Sequence, residues 1–231
     1  KTGDVTKELA EYGQSVATKI EDLSGFIFTA KSPSCGMERV KIYHYNDENK
    51  ATGSDQTGVG MFAKQIMDIN PALPCEENGR LNDPAIRENF VLRVFAFNTW
   101  PLMMQDGFTK HKLIQVHTQY KYLLMSHSQN SYRELGRMLG TSEAPVDELA
   151  KEYIVLFMTA LKTIASRKSH ANTLNHIQGY FSKHLTKEQK AELTTQIDDY
   201  REGLIPLMAP LTLLKHYLMM YPDEYIANQR Y

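Results

Sequence analysis

The stretch GFIFTAKSPSCG, Gly25–Gly36, decides how the first part of this chain is read. GFIFTA is short, apolar and aromatic, the composition of a buried strand. Before it, GDVTKELAEYGQSVATKIEDLSG carries apolar residues at helical spacing (Val5, Leu9, Tyr12, Val16, Ile20, Leu23), with Asp4 or Thr6 to cap its start and Gly25 to follow its end. A helix, a strand and then a polar loop is an α/β unit. In open α/β sheets, sites collect on the loops that follow the carboxyl ends of strands, which is where SPSCG falls. Pro33 stiffens that loop, Gly36 permits close backbone approach, and Cys35 stands between them. Cys35 is either a small core residue or one piece of a site whose other pieces lie elsewhere. The second cysteine, Cys75, is 40 residues away, and two such thiols make neither a disulfide framework nor a cysteine-only metal site.

Working outward, RVKIYH reads as a further strand, NDENKATGSDQTG as a polar surface loop and GMFAKQIMDI as a helix. PALPCEENGRLNDP is expected to be a proline-bounded connection. Asp83-Pro84 then opens a helix through AIRENFVLRVFAFNTW, with aspartate as cap and proline at the first helical position. From about Pro101 no alternation remains. Helices are expected near Thr109–Ser126, Ser128–Leu139, Val146–Ile164, His170–Lys183, Lys187–Tyr200 and Leu204–Met220. The expected fold is mainly α: a partial α/β domain over 1–70, a connecting segment and helix over 71–100, and an all-helical domain over 101–231.

The 231 residues carry a formal net charge of −1, which excludes a global attraction to nucleic acid or anionic membrane and leaves only local patches. No apolar run approaches the roughly 20 residues of a membrane span, and two distant cysteines fit a reducing, cytoplasmic setting. The opening at Lys1, within a polar segment, raises the expectation that the sequence is part of a longer one. Charge is nevertheless segregated. No aspartate or glutamate occurs from Gly107 to Arg133, where Lys110, Lys112, His117, Lys121 and Arg133 lie. A second acid-free window, Tyr153 to Lys187, holds Arg167, Lys168, His176 and Lys183, and seven of the eight histidines fall in the helical half. Tyr120, Tyr122, Tyr132, Tyr180 and Phe181 interleave with these residues. Basic residues with stacking aromatics are the chemistry of RNA contact, and solvated helical faces are its ordinary alternative.

Other motifs are excluded or open. His117 and Lys121, four apart, would share a helical face and hold phosphate, while HxxxK does not match the HExxH of zinc hydrolases. His176, in the apolar company of Leu174 and Ile177, reads more readily as a core histidine than as a catalyst. There is neither a phosphate-cradling glycine loop nor a GxSxG elbow. Cys75 reads as structural, since Glu76 and Glu77 beside it oppose a thiolate.

AKSPSCG is similar to the C-terminal signature of thiouracil desulfidase (TudS-like) domains. ALPCEENGRLNDPAIRENFVLRVFAF, HTQYKYLLMSHSQNSYRELGRML, SHANTLNHIQGYFSKHL and YREGLIPLMAPLTLLKHYL resemble the YbgA-like domain. Together they resemble fused proteins of the RudS type, the tRNA 4-thiouridine desulfidases. The resemblance implies a 4Fe–4S cluster held by three cysteines, its open iron binding the thiocarbonyl sulfur as a Lewis acid while water replaces it. It implies that Cys35 is one cluster ligand, that Ser32 acts catalytically at the reacting base, and that the helical domain brings the tRNA. The family's other two cysteines and its glutamate precede the counterpart of GDVT and are not in this sequence, so Cys35 would be one ligand of an incomplete set.

The leading expectation is a cytoplasmic tRNA 4-thiouridine desulfidase with RNA contacts at Lys110, Lys112, His117, Lys121, Arg133, Arg167, Lys168, His176 and Lys183. The alternatives are a non-catalytic RNA-binding module and a structural or protein-interaction domain.

Overall fold

The computed structural model describes residues 3–48 and 50–231, in two compact units divided between Gln105 and Asp106. The first unit runs α1 (Thr6–Ala17), β1 (Phe26–Phe28), β2 (Val40–Tyr45), β3 (Ala51–Gly58), α2 (Met61–Ile69), β4 (Cys75–Glu77), a single 3₁₀ turn (Arg80–Asn82) and α3 (Pro84–Met103). β1 pairs in parallel with β4, Phe26 opposite Cys75 and Phe28 opposite Glu77. Parallel partners need a crossover, and α2 supplies it. The antiparallel ribbon β2–β3 is inserted into that crossover between β1 and α2. Phe28, Met37, Ala63, Ile66, Leu73 and Cys75 form the core beneath, with Ala17 from α1.

Several boundaries differ from expectation for local reasons. α1 stops at Ala17, not near Leu23, because the Asn70 side chain donates to the Ala17 carbonyl (3.0 Å) and ends the ladder there. The expected loop NDENKATGSDQTG, of which Asn49 lies outside the described residues, contains the strand β3; its partner VKIYHY recruits it, with His44 Nε2 and Asp55 Oδ2 2.7 Å apart across the pair. The expected connection PALPCEENGRLNDP contains β4, a strand with two adjacent glutamates whose charges are met. Glu76 takes Arg80 Nε at 2.7 Å and Arg93 Nη2 at 3.8 Å, and Glu77 accepts the Met37 N–H at 2.8 Å. Asp83 caps α3 as expected, its Oδ1 accepting from Ala85 (2.8 Å) and Ile86 (3.1 Å).

The second unit is helical throughout: α4 (Lys110–Gln119), α5 (Lys121–His127), α6 (Gln129–Thr141), α7 (Val146–Lys162), α8 (Arg167–Phe181), α9 (Lys187–Glu202), α10 (Met208–Met220) and α11 (Glu224–Ala227). The chain is mainly α with a small α/β part before the helices, as its patterns predict. The one long helix expected over Thr109–Ser126 is two, broken at Tyr120 (φ −94°, ψ 8°), whose buried ring meets Phe157 edge-on at 5.1 Å. α8 and α9 each begin with a capping box, Ser166 with Ser169 and Thr186 with Gln189. α9 ends where Gly203, at φ +86°, lets Leu204 N–H reach the Asp199 carbonyl (2.8 Å). The last residues fold back: Arg230 N–H donates to Gln119 O (2.9 Å), Gln229 Nε2 to Thr118 O (3.0 Å), and Tyr231 Oη lies 2.8 Å from His170 Nδ1.

Leu174, Phe181, Leu193 and Ile197 are the dry centre of this unit. Leu174→Ala is expected to cost about 2–5 kcal/mol, read as a lower urea midpoint with an unchanged m-value.

Candidate functional site

The SPSCG loop is built by three backbone demands. Gly36 N–H donates to Ser32 O (2.8 Å), closing a turn, and Gly60 N–H donates to Gly36 O (2.8 Å). The first helical N–H groups of α2 lack a side-chain cap, because the N-cap is Gly60. The Ser34 carbonyl takes their place, accepting from Phe62 at 3.0 Å and Ala63 at 3.3 Å. The approach is close enough that a Cβ on Gly60 would stand 2.4 Å from that carbonyl, so no other residue fits.

Cys35 is held half-buried in this loop. Its N–H donates to Ser32 Oγ (3.2 Å), its Sγ is 3.4 Å from Ser34 Oγ, and Ser34 Oγ is 3.2 Å from Ser32 Oγ. A thiol with two hydroxyls in file is the chemistry of a sulfur ligand whose charge is to be hydrogen-bonded. The donor set does not fit a whole iron–sulfur cluster. Among the described residues no three histidine, cysteine or carboxylate groups converge. Cys75 is buried in β4 opposite Phe26, within the apolar core.

Beyond the loop, Glu77 Oε1 accepts from the Met37 (2.8 Å) and Glu38 (3.3 Å) N–H groups. Glu38 in turn meets Arg39 Nη2 (3.0 Å) and Arg80 Nη1. Burial works against the Arg80 cation, but Glu76 and Glu38 outweigh it and raise its pKa. This acid–base cluster was not foreseen. Its signal was in the sequence as GluGlu followed by Arg, but only the β1–β4 pairing brings the Glu77 carboxylate under the loop.

In the helical unit the basic residues divide. Lys168, Asn172 and His176 lie exposed along one stripe of α8, a helix without a single carboxylate, and Lys183 is exposed in the turn that follows it. His176 therefore faces water and is not a core histidine. Arg133 is exposed on α6, and Arg167 lies 6.0 Å from the Tyr200 ring. Lys110 Nζ reaches Ser142 O (3.3 Å), and Lys112 Nζ is engaged by Gly107 O (3.2 Å) and Asp106 (3.7 Å). The Lys121 ammonium sits over Tyr122 and Tyr225 at 5.1 and 5.7 Å.

His117 is a correction. It is buried, stacked on Tyr132 at 4.9 Å and 3.1 Å from the Tyr153 hydroxyl, and Gly136 leaves room for its ring. Burial lowers its pKa to about 4, so it is neutral where RNA would bind and offers no cation. The break at Tyr120 also separates it from the face of Lys121. The interleaved aromatics are mostly inward-facing: Tyr120, Tyr122 and Phe181 are core, Tyr132 covers His117, and Tyr180 alone among them is exposed. Helical geometry puts basic and aromatic residues that alternate in sequence on opposite faces.

By family-model match the α/β unit is similar to thiouracil desulfurases, and a helical unit follows it. The family model described as 2-thiouracil desulfurase matches residues 1–78, and the one described as Protein of unknown function (DUF1722) matches 121–231. The chain is 34% identical over 146 residues to "Uncharacterized protein YbgA" of Escherichia coli (strain K12), covering 62% of this chain and 86% of that protein. The chain belongs to the YbgA family. No solved structure matches it. Among the described residues, no helix is long and apolar enough to cross a membrane.

Two outcomes follow. Gly60→Ala should push the Ser34 carbonyl off α2, costing about 1–3 kcal/mol and speeding reaction of Cys35 with a thiol reagent. Because His117 is held below its unfolded pKa, its contribution is whole above about pH 6.5 and is lost as pH falls toward 4. Urea titrations should show a loss of up to about 3 kcal/mol across that window, and the loss should shrink in His117→Gln.

Proposed function

We propose that this protein removes sulfur from thiolated uracil, with 4-thiouridine in tRNA as the substrate. The observation that carries the reading is the coincidence of the 2-thiouracil desulfurase match with the loop that presents Cys35 beside Ser32 and Ser34. The net change exchanges sulfur for the oxygen of water: the carbon–sulfur bond breaks, a carbon–oxygen bond forms, and sulfide leaves without any change in electron count.

Cys35 would be one thiolate of a 4Fe–4S cluster, which when bound supplies a Lewis acid for the sulfur. Its remaining ligands are not among the described residues, and no step is drawn through it. Ser32 would serve at the base as a proton donor, its hydroxyl oriented by the Cys35 N–H. The tRNA would lie on the carboxylate-free stripe of α8, Lys168 contacting phosphate beside His176 and Lys183 doing so from the turn after the helix, while Arg133, Arg167 and Lys121 would extend the positive surface. Lys110 and Lys112, already engaged by carbonyls and Asp106, would contribute less. The free sites and the buried aromatics favour backbone contact over base reading.

The test uses the protein as the cell makes it, reconstituted anaerobically with iron and sulfide and given 4-thiouridine-containing tRNA. Loss of the thiouridine absorbance, abolished at least about 100-fold by Cys35→Ala, is the expected result; untouched 4-thiouridine would overturn the reading. Lys168→Glu and Lys183→Glu should each lower the salt slope of tRNA binding by about 1, whereas Cys35→Ala should leave it unchanged.

A further inference from the structure

Within the helical unit, a cavity of about 490 Å³ opens between α8, α10 and the residues that fold back after α11. Its floor is core: Ile177, Phe181, Leu214 and Ile226 line it, each at most 8% exposed. Met208, 65% exposed, stands at its mouth, where a flexible thioether can adapt to what enters. The walls are fixed by hydrogen bonds. Thr212 Oγ1 donates to Met208 O (2.7 Å), Gln229 Nε2 donates to Thr118 O (3.0 Å), and Tyr231 Oη lies 2.8 Å from His170 Nδ1. A preformed, mostly apolar hollow of about 300–1,000 Å³ with few polar groups is the usual form of a small-molecule site.

Lys215 is the one charged side chain on this lining, and no carboxylate side chain shares it. It lies in the middle of the apolar helix MAPLTLLKHYLMM, on the face of Leu211 and Leu218. Leu211, Thr212, Leu218 and Met219, three and four residues away, include no acid that could pair with it. Among the described residues, Lys215 forms no ion pair with any other element either. Its stem can lie along the apolar wall while its exposed ammonium stays at the opening. An aliphatic floor with a single unpaired cation at its edge is complementary to a hydrocarbon body that ends in an anion.

We propose that this cavity binds an anionic amphiphile, an acyl chain of medium length lying on the floor of Ile177, Phe181, Leu214 and Ile226 with its carboxylate or phosphate at Lys215. The site is separate from the Ser32–Cys35 loop, and the thiouracil reading plays no part in it.

The test is equilibrium titration of the full chain with hexanoate, decanoate and decanol, all below their micellar concentrations. The variants are Lys215→Gln, at an exposed position, and Leu218→Trp, which fills the cavity from its half-buried edge, with thermal melts as a check on folding. Decanoate should bind at least about tenfold more tightly than hexanoate and about two- to fivefold more tightly than decanol. Lys215→Gln should erase the preference over decanol and keep the dependence on chain length. Leu218→Trp should weaken decanoate at least about fivefold. Cosedimentation with phosphatidylglycerol vesicles separates the sources of the chain. If it comes from lipid, vesicles bind and decanoate displaces them; if it comes from a free carboxylate, only decanoate binds. Either result upholds the site. Equal binding of hexanoate and decanoate, decanoate binding that neither variant changes, or vesicle binding without decanoate binding overturns it.

Discussion

The carbonyl of Ser34 caps the first turn of α2, and the α/β unit is organised around that contact. A helix whose N-cap is glycine has no side chain to satisfy its leading N–H groups. Here the loop itself does so, which fixes Cys35 relative to α2 and, through the crossover, relative to β4. Glu77 then holds the other end of the loop by its Met37 and Glu38 amides. The loop is thereby clamped from both sides by backbone, with the Ser34 hydroxyl 3.4 Å from the sulfur and the Ser32 hydroxyl behind it. Preorganisation of this kind holds a side chain in place without further cost for ordering it.

The helical unit obeys a different constraint. Its interior is rich in aromatic rings, and buried polar atoms on them must be paired or neutral. His117 meets Tyr153, and His170 meets Tyr231, each with its pKa lowered to about 4 by burial, with His127 adding to the effect at His170. The charged residues are consequently displaced to the outer faces, where α8 carries them without a carboxylate. The exposure of these basic residues is thus a consequence of packing.

Helix existence was legible from apolar spacing because a 3.6-residue period survives in a single sequence. Where α1 ends was not, since Asn70, a distant residue, ends it. β3 was illegible because ATGSDQTG has no apolar alternation; its strand character comes from its partner. β4 was illegible because two adjacent glutamates argue against a strand until Arg80 and Arg93 are placed beside one of them. At the loop, Ser32 and Cys35 were legible from composition and resemblance, while Glu77 was not, since only the β1–β4 pairing brings its carboxylate to the Met37 and Glu38 amides. The error at His117 is one of burial: Tyr132 and Tyr153, remote in sequence, enclose its ring, and the break at Tyr120 parts it from Lys121.

The β2–β3 ribbon is exposed on both faces beyond Val40 and Gly58, its buried ends. Residues that pack against nothing are not held by the core, so their identity is free to drift at little cost to folding. Within a lineage, such a segment can change length, charge and aromatic content while the loop it springs from stays fixed. Change in the ribbon can therefore proceed without renegotiating the fold.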